Sequence, residues 1–368
     1  MRHNTGMPPL RGSLWVLVLY DVAEQIQLDK LPALISPTAA ATQPRFKHPA
    51  PDYVRFEKAP VVEDLGTATI ESGQRFRARA KYFDYGVISV ELQLPFEVSW
   101  QELVGLSHRW ILAPEIERCS SELLRGRRDK VGAALVQPYA SPLSEDYYII
   151  HLEQALDPDD KPSSAAALLA SHGDEIAQMV RGESQPLSDA ERNEVLQSRL
   201  SYYPNDLLLV GWVAALVYDT PEGAAPTIQL LEYANTQLLE FRHYDDLLTR
   251  VLENVYKTLE HRGGGFFRRW RMASEAARLN TLRLDVTELT ERTDNAIKFL
   301  SDMFYARAYR MAASRVGVPD YRHLVEEKLH TAGELYDFMM NEFHQARAFV
   351  LEAMVVVILV IELVHVFR

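Results

Sequence analysis

Three Glu-x-x-His pairs stand in this sequence, Glu240/His243, Glu327/His330 and Glu362/His365. An i, i+3 spacing puts both side chains of a pair on one helix face, the arrangement of di-metal carboxylate bundles. At about 1.5 Å of rise per residue, the pairs fall about 26, 12 and 65 Å from one end of the helical region described below. No two are level, so no metal is expected. His323, Glu326, Glu327 and His330 share a face that reads as a solvated charged stripe. Cys119 excludes an intrachain disulfide framework, fits a reducing compartment and reads as a packed small hydrophobe. The phosphate-loop, dinucleotide, zinc-protease and nucleophile-elbow patterns are absent. Gly263 to Gly265 lack the lysine and the strand-to-helix setting of a phosphate loop and read as a turn. The sequence therefore predicts no catalytic residue and no cofactor, and the expected role is non-enzymatic.

Two stretches are better suited to binding than to catalysis. Phe266, Phe267, Arg268, Arg269, Trp270 and Arg271 combine cations with aromatics, a composition for anionic lipid headgroups or for a phosphate backbone. The other stretch runs from Phe349 to Phe367 and includes Leu351, Glu352, Met354, Val356, Ile358, Val360, Ile361, Glu362 and Leu363. Its longest uncharged run, Ala353 to Ile361, is nine residues, against the roughly 20 that a spanning helix needs. A mid-helix carboxylate costs about 2.5 to 3.5 kcal/mol on insertion, and nine apolar residues at about 0.3 to 0.6 kcal/mol each offset roughly one of them. A bilayer span, an intersubunit bundle, and interfacial insertion or packing within the chain all remain open for this segment.

The elements that must position these stretches follow from composition and period. The chain has 368 residues, 47% hydrophobic and 24% charged, values of an ordinary globular chain. A net charge of -12 argues against a broad nucleic-acid surface. Leu14 to Tyr20 meets Asp21 after seven residues, too short for a signal-peptide core, and the start lacks an Arg- and Ser-rich presequence. The expected location is the cytoplasm or the cytoplasmic face of a membrane. Trp15 to Asp21 predicts a strand, and Val22 to Leu31 has helical spacing. Tyr53 to Glu57 alternates as a strand. Gln74 to Tyr82 and Val87 to Leu94 form a hairpin about Asp84 and Gly86. Ser99 and Glu102 spell a capping box for a helix towards Arg125, Arg125 to Lys130 being its solvated end, and Tyr147 to Leu152 predicts a further strand. The order β-α-β-β-β-α-β is close to a split β-α-β sandwich.

Helices are expected over 164–181 and 188–198, the second capped by Ser188. The apolar run Leu207 to Tyr218 reads as a buried strand or a core helix. From Pro221 onward, apolar residues recur at alternating three and four spacing. The first seam runs from Leu231 through Ala234, Leu238, Phe241, Asp245, Leu248, Leu252 and Val255 to Leu259. The second runs from Leu279 through Leu282 and Val286 to Met303, and the third from Ala332 through Leu335, Val356, Val360 and Leu363 to Phe367. The fold expected is thus α+β: an N-terminal α/β sandwich over 1–156, connecting elements over 157–220, and a long antiparallel three-helix coiled-coil stalk over 221–368. Helices of about 60 to 70 Å would bring the 262–271 turn beside Phe367.

Asp294 to Arg310, Glu327 to Tyr336 and Phe349 to Glu362, with the Phe83-Asp84-Tyr85-Gly86-Val87 hairpin, resemble the YagE and required-for-meiotic-nuclear-division family, a domain of unknown function. The resemblance covers most of residues 75–368. It implies a membrane-associated coiled-coil protein that forms homo-oligomers and has no assigned catalytic residues. The mitochondrial members are linked to the inner membrane and to translation. Without a presequence this chain is expected to be a prokaryotic relative. The leading expectation is a self-assembling scaffold or tether. An RNA- or ribosome-associated factor supporting translation is the alternative. A CorA-like ion transporter shares the outline of a head, a long stalk and an apolar C-terminal helix but needs a Gly-Met-Asn turn, which this sequence lacks.

Overall fold

The computed structural model describes residues 9–35, 40–41, 59–111, 113–156, 162–260, 278–288 and 303–366. They form a mixed α+β protein, with a sheet in the N-terminal part and helices after it. Two compact units divide the chain, Met1–Glu240 with Thr293–Pro319 and Phe241–Arg292 with Asp320–Arg368.

The first unit is built on a nine-stranded sheet. Its strands are β1 (Leu10–Ile26), β2 (Ala40–Ala41), β3 (Val61–Thr69), β4 (Arg75–Tyr82), β5 (Val87–Val98), β6 (Leu135–Gln154), β7 (Arg199–Leu200), β8 (Leu207–Val210) and β9 (Ala214–Tyr218). The spatial order is β2-β3-β4-β5-β1-β6-β9-β8-β7. β6 and β9 pair in parallel and the other neighbours antiparallel. The remaining elements of this region are α1 (Leu31–Leu34), α2 (Trp100–Trp110), α3 (Pro114–Val131), α4 (Ala165–Arg181) and α5 (Asp189–Gln197). α4 and α5 lie in the crossover that the parallel pair requires.

The hairpin legible in the sequence is β4–β5. Its turn needs glycine twice over: Gly86 has φ 94°, and a Cβ there would stand 1.8 Å from the Ala23 carbonyl oxygen. That close approach also explains a correction. Val22 to Leu31 was expected to be helical, yet β1 continues to Ile26. The Val22 and Ile26 amides donate to the Gly86 and Asp84 carbonyls at 3.0 Å, and Ala23, Gln25 and Ile26 pair with β6. Tertiary pairing overrides the local period, and helix is confined to Leu31–Leu34 and the 3-10 turn before it.

The expected helix from Ser99 to Arg125 is two helices. Ser99 and Glu102 form the capping box at the start of α2. Ala113 is extended ahead of Pro114, which opens α3, because proline disfavours the helical region for the residue before it. The single strand or helix over Leu207–Tyr218 resolves into two buried strands, β8 and β9, turning at Gly211. β3 has no counterpart among the expected strands. Its alternation is interrupted by a bulge at Gly66, whose φ is 76°, and its apolar signal is correspondingly weak. Tyr53 to Glu57 lie outside the described residues.

Alternation gives the sheet two buried faces. Leu14, Val16 and Val18 of β1 belong to the core cluster that contains Leu103 and Trp110 of α2, Ile116 of α3 and Ile176 of α4. On the opposite face Leu19, Phe83 and Val87 cluster with Leu239 of α6 (Pro221–Glu260). α8 (Met303–Val316) joins this unit through a hydrogen bond from the Tyr309 hydroxyl to Gln237. Met303, expected on a seam, is 73% exposed.

The second unit takes the rest of α6, a helix over 278–288 (α7) and nearly all of α9 (Val318–Val366). Leu248, Leu252 and Val255 of α6, Leu279, Leu282 and Val286 of α7, and Ala332 of α9 are buried, as their seam spacing predicts. Asp245, the polar interruption, accepts a bond of 2.6 Å from Lys328, which also donates to Thr249 at 2.6 Å. Gly317, with φ 93°, separates α8 from α9, and Pro319 occupies the first turn of α9, where its missing N–H is not needed.

Candidate functional site

α9 changes character along its length. Near its start Val325 and Ala332 are fully or almost fully buried. From Met354 to Leu363 the helix turns aliphatic side chains to solvent in every direction, the exposures lying between 52% at Ile358 and 63% at Ile361. Val356, Val360 and Leu363, the seam positions, are as exposed as Val357, Leu359 and Ile361 between them. Glu352, Glu362 and His365 are exposed too. For Phe349 and Leu351 the backbone alone is described, and Phe367 lies outside the described residues, as do Phe266, Phe267, Arg268, Arg269, Trp270 and Arg271. The expected meeting of that turn with Phe367 falls outside them as well.

A helix that is apolar all round is normally buried, and monomers rarely expose a contiguous apolar patch beyond a few hundred Å². Burying a Val, Leu, Ile or Met side chain stabilises by about 1.5 to 3 kcal/mol. Nine such side chains, each more than half exposed, leave roughly 7 to 14 kcal/mol unrealised. Bilayer insertion recovers little of it, because the two carboxylates cost about 5 to 7 kcal/mol against a return of about 3 to 5 kcal/mol. Among the described residues no helix is long and apolar enough to cross a membrane.

A second feature was not foreseen. β4 reads Arg75-Phe-Arg-Ala-Arg-Ala-Lys-Tyr82, and period two sends Phe76, Ala78, Ala80 and Tyr82 into the larger core. Lys81 faces the other way, beneath α6, and is 5% exposed. Its ammonium lies 2.5 Å from Glu91 of β5 and 2.5 Å from Glu232 of α6. Arg79 adds a bond of 2.9 Å to Glu91 and lies 4.9 Å from the Trp15 ring centroid. Burial opposes every charge here. For Lys81 the two carboxylates outweigh it and hold the ammonium protonated, its pKa raised. For Glu91, Lys81 and Arg79 outweigh it and hold the pKa low. For Glu232 burial prevails over Lys81 and the pKa is raised. Its two carboxylates come from different elements, β5 and α6, so the cluster fastens α6 to the sheet.

The run Arg125 to Lys130 is largely solvated, as expected, and from it Arg127 and Lys130 also reach buried Glu63 of β3 at 2.9 and 3.1 Å. The Tyr82 hydroxyl donates to the same carboxylate at 2.7 Å. Burial raises the Glu63 pKa, but the Tyr82 bond and the two cations outweigh it and bring it below its usual value. Of the Glu-x-x-His pairs, Glu240 is buried while Glu327 and Glu362 are exposed. Among the described residues no three His, Cys, Asp or Glu are grouped to hold a metal. Cys119 is half-buried, and burial pushes its thiol pKa up. A cleft of about 510 Å³ at the start of α6 is lined by Arg11, Glu153, Tyr203, Asp206, Tyr218 and Asp219, among others. The Asp206 carboxylate is already taken by the Tyr202 and Tyr203 amides.

The sheet with helices on both faces makes the first unit an α+β fold. Residues 11–225 match the family described as "Uncharacterized protein MJ0711, N-terminal domain"; this is more than half of the chain, and the chain belongs to that family. Uncharacterized protein MJ0711 of Methanocaldococcus jannaschii is 19% identical over 225 residues, covering 61% of this chain. The chain spans 66% of the length of that relative. No solved structure matches.

Proposed function

We propose that this chain is a non-enzymatic scaffold or tether that self-assembles and works at or near the cytoplasmic face of a membrane. Its head is the nine-stranded unit, and its attachment point is the end of α9. The three-helix coiled-coil stalk belongs to the same proposal, supported by buried seam residues on α6, α7 and α9. So does the likeness to the YagE and required-for-meiotic-nuclear-division family. The observation that carries the reading is the solvent-facing run Met354–Leu363, which a chain acting alone has no reason to keep.

The experiment compares the full chain with Val356→Lys/Val360→Lys by size exclusion and by vesicle flotation. The parent is expected to self-associate, float, or do both, and the variant to lose what the parent does. A parent that stays monomeric and does not float contradicts the proposal.

A further inference from the structure

The part of α9 that lacks polar side chains decides what can cover it. On a helix of about 100° per residue, with Glu352 taken as origin, Glu362 falls near 280° and His365 near 220°. Between Glu352 and His365 an arc of about 220° is filled by Leu363, Val356, Val360, Val357, Ile361 and Met354. Every one of these side chains is more than half exposed. A stripe for one neighbour spans about 100°. An arc twice that width suits a helix with neighbours on two sides.

We propose that this segment of α9 is one strand of a bundle formed by more than two copies of this chain. The inference rests on the scaffold reading and names its partner. Hydrocarbon would surround the helix and take in Glu352 and Glu362 with the rest, at a cost the aliphatic residues do not return. A bundle that takes the wide arc inside leaves both carboxylates and His365 at its surface, in water, together with Val355, Ile358 and Leu359, which share their side of the helix. Copies of the chain satisfy one another because the arc holds aliphatic side chains alone, with Val356, Val360 and Leu363 at the 4-3 spacing that interlocks identical helices. A symmetric arrangement also keeps the like charges outside.

Light scattering on the full chain eluting from a sizing column without detergent tests this. The expected mass is that of more than two chains. Val356→Lys/Val360→Lys should reduce it to one, with the circular dichroism and thermal midpoint of the head retained. Glu362→Leu is the second arm: it should leave the mass unchanged and give no gain in flotation with phosphatidylserine vesicles. A marked gain would make lipid the occupant and overturn the inference. A parent monomer or dimer overturns it too. If that monomer floats, the tether reading survives; if it does neither, both are lost.

Discussion

Lys81 stands between two carboxylates from different elements, so its replacement has an asymmetric cost. Lys81→Met leaves Glu232 buried without a cation, and breaking a buried pair in this way costs about 3 to 5 kcal/mol. Adding Glu232→Leu should recover most of that loss, because Glu91 keeps Arg79. Urea denaturation of the two variants measures the difference. Glu63 sets a pH dependence of definite sign. Its folded pKa lies below the usual 4.5, so its contribution is complete above about 4.5 and is lost as pH falls through the folded value. Glu63→Gln should lower stability at neutral pH and flatten the acid limb of stability against pH. Neither cluster was legible in the sequence. Lys81 and Glu232 are 151 residues apart, and only the sheet order and the path of α6 bring them together. The alternation Arg-Phe-Arg-Ala-Arg-Ala-Lys showed the period of β4 but not which of its cations would be covered.

Elements were legible where their signals are local. Ser99, Ser164 and Ser188 each accept a bond from the backbone amide three residues on, as N-caps do. The β4–β5 turn announces itself through Gly86, and Gly86→Ala should cost more than about 1 kcal/mol in stability, since φ and space both exclude a Cβ. Ser188→Ala, at an exposed cap, should cost about 1 kcal/mol. Thermal unfolding of both variants checks the order. What escaped was settled by partners distant in sequence. The second half of β1 is strand because the hairpin tip and β6 hold it. β8 and β9 turn at Gly211-Trp212-Val213 without the Asn-Gly or Asp-Gly signal of a tight hairpin.

At the scale of the whole molecule, the head and the end of α9 pose opposite questions. The head buries charged residues and pairs them; the end of α9 exposes aliphatic residues and leaves them uncovered. The apolar composition of this end was plain in the sequence, and so was its heptad spacing. The exposure of its described side chains was not, because period alone does not say whether a seam closes on its own helices or on another molecule. The central claim is that something outside the chain, in our account further copies of it, covers Met354–Leu363. Amide hydrogen exchange over 354–363, followed on dilution without detergent, tests this most directly. An uncovered helix end exchanges fast at every concentration, having no tertiary contacts to slow its opening. The account predicts protection at high concentration that is lost on dilution, while the head amides stay protected throughout. Fast exchange over 354–363 at all concentrations would contradict it.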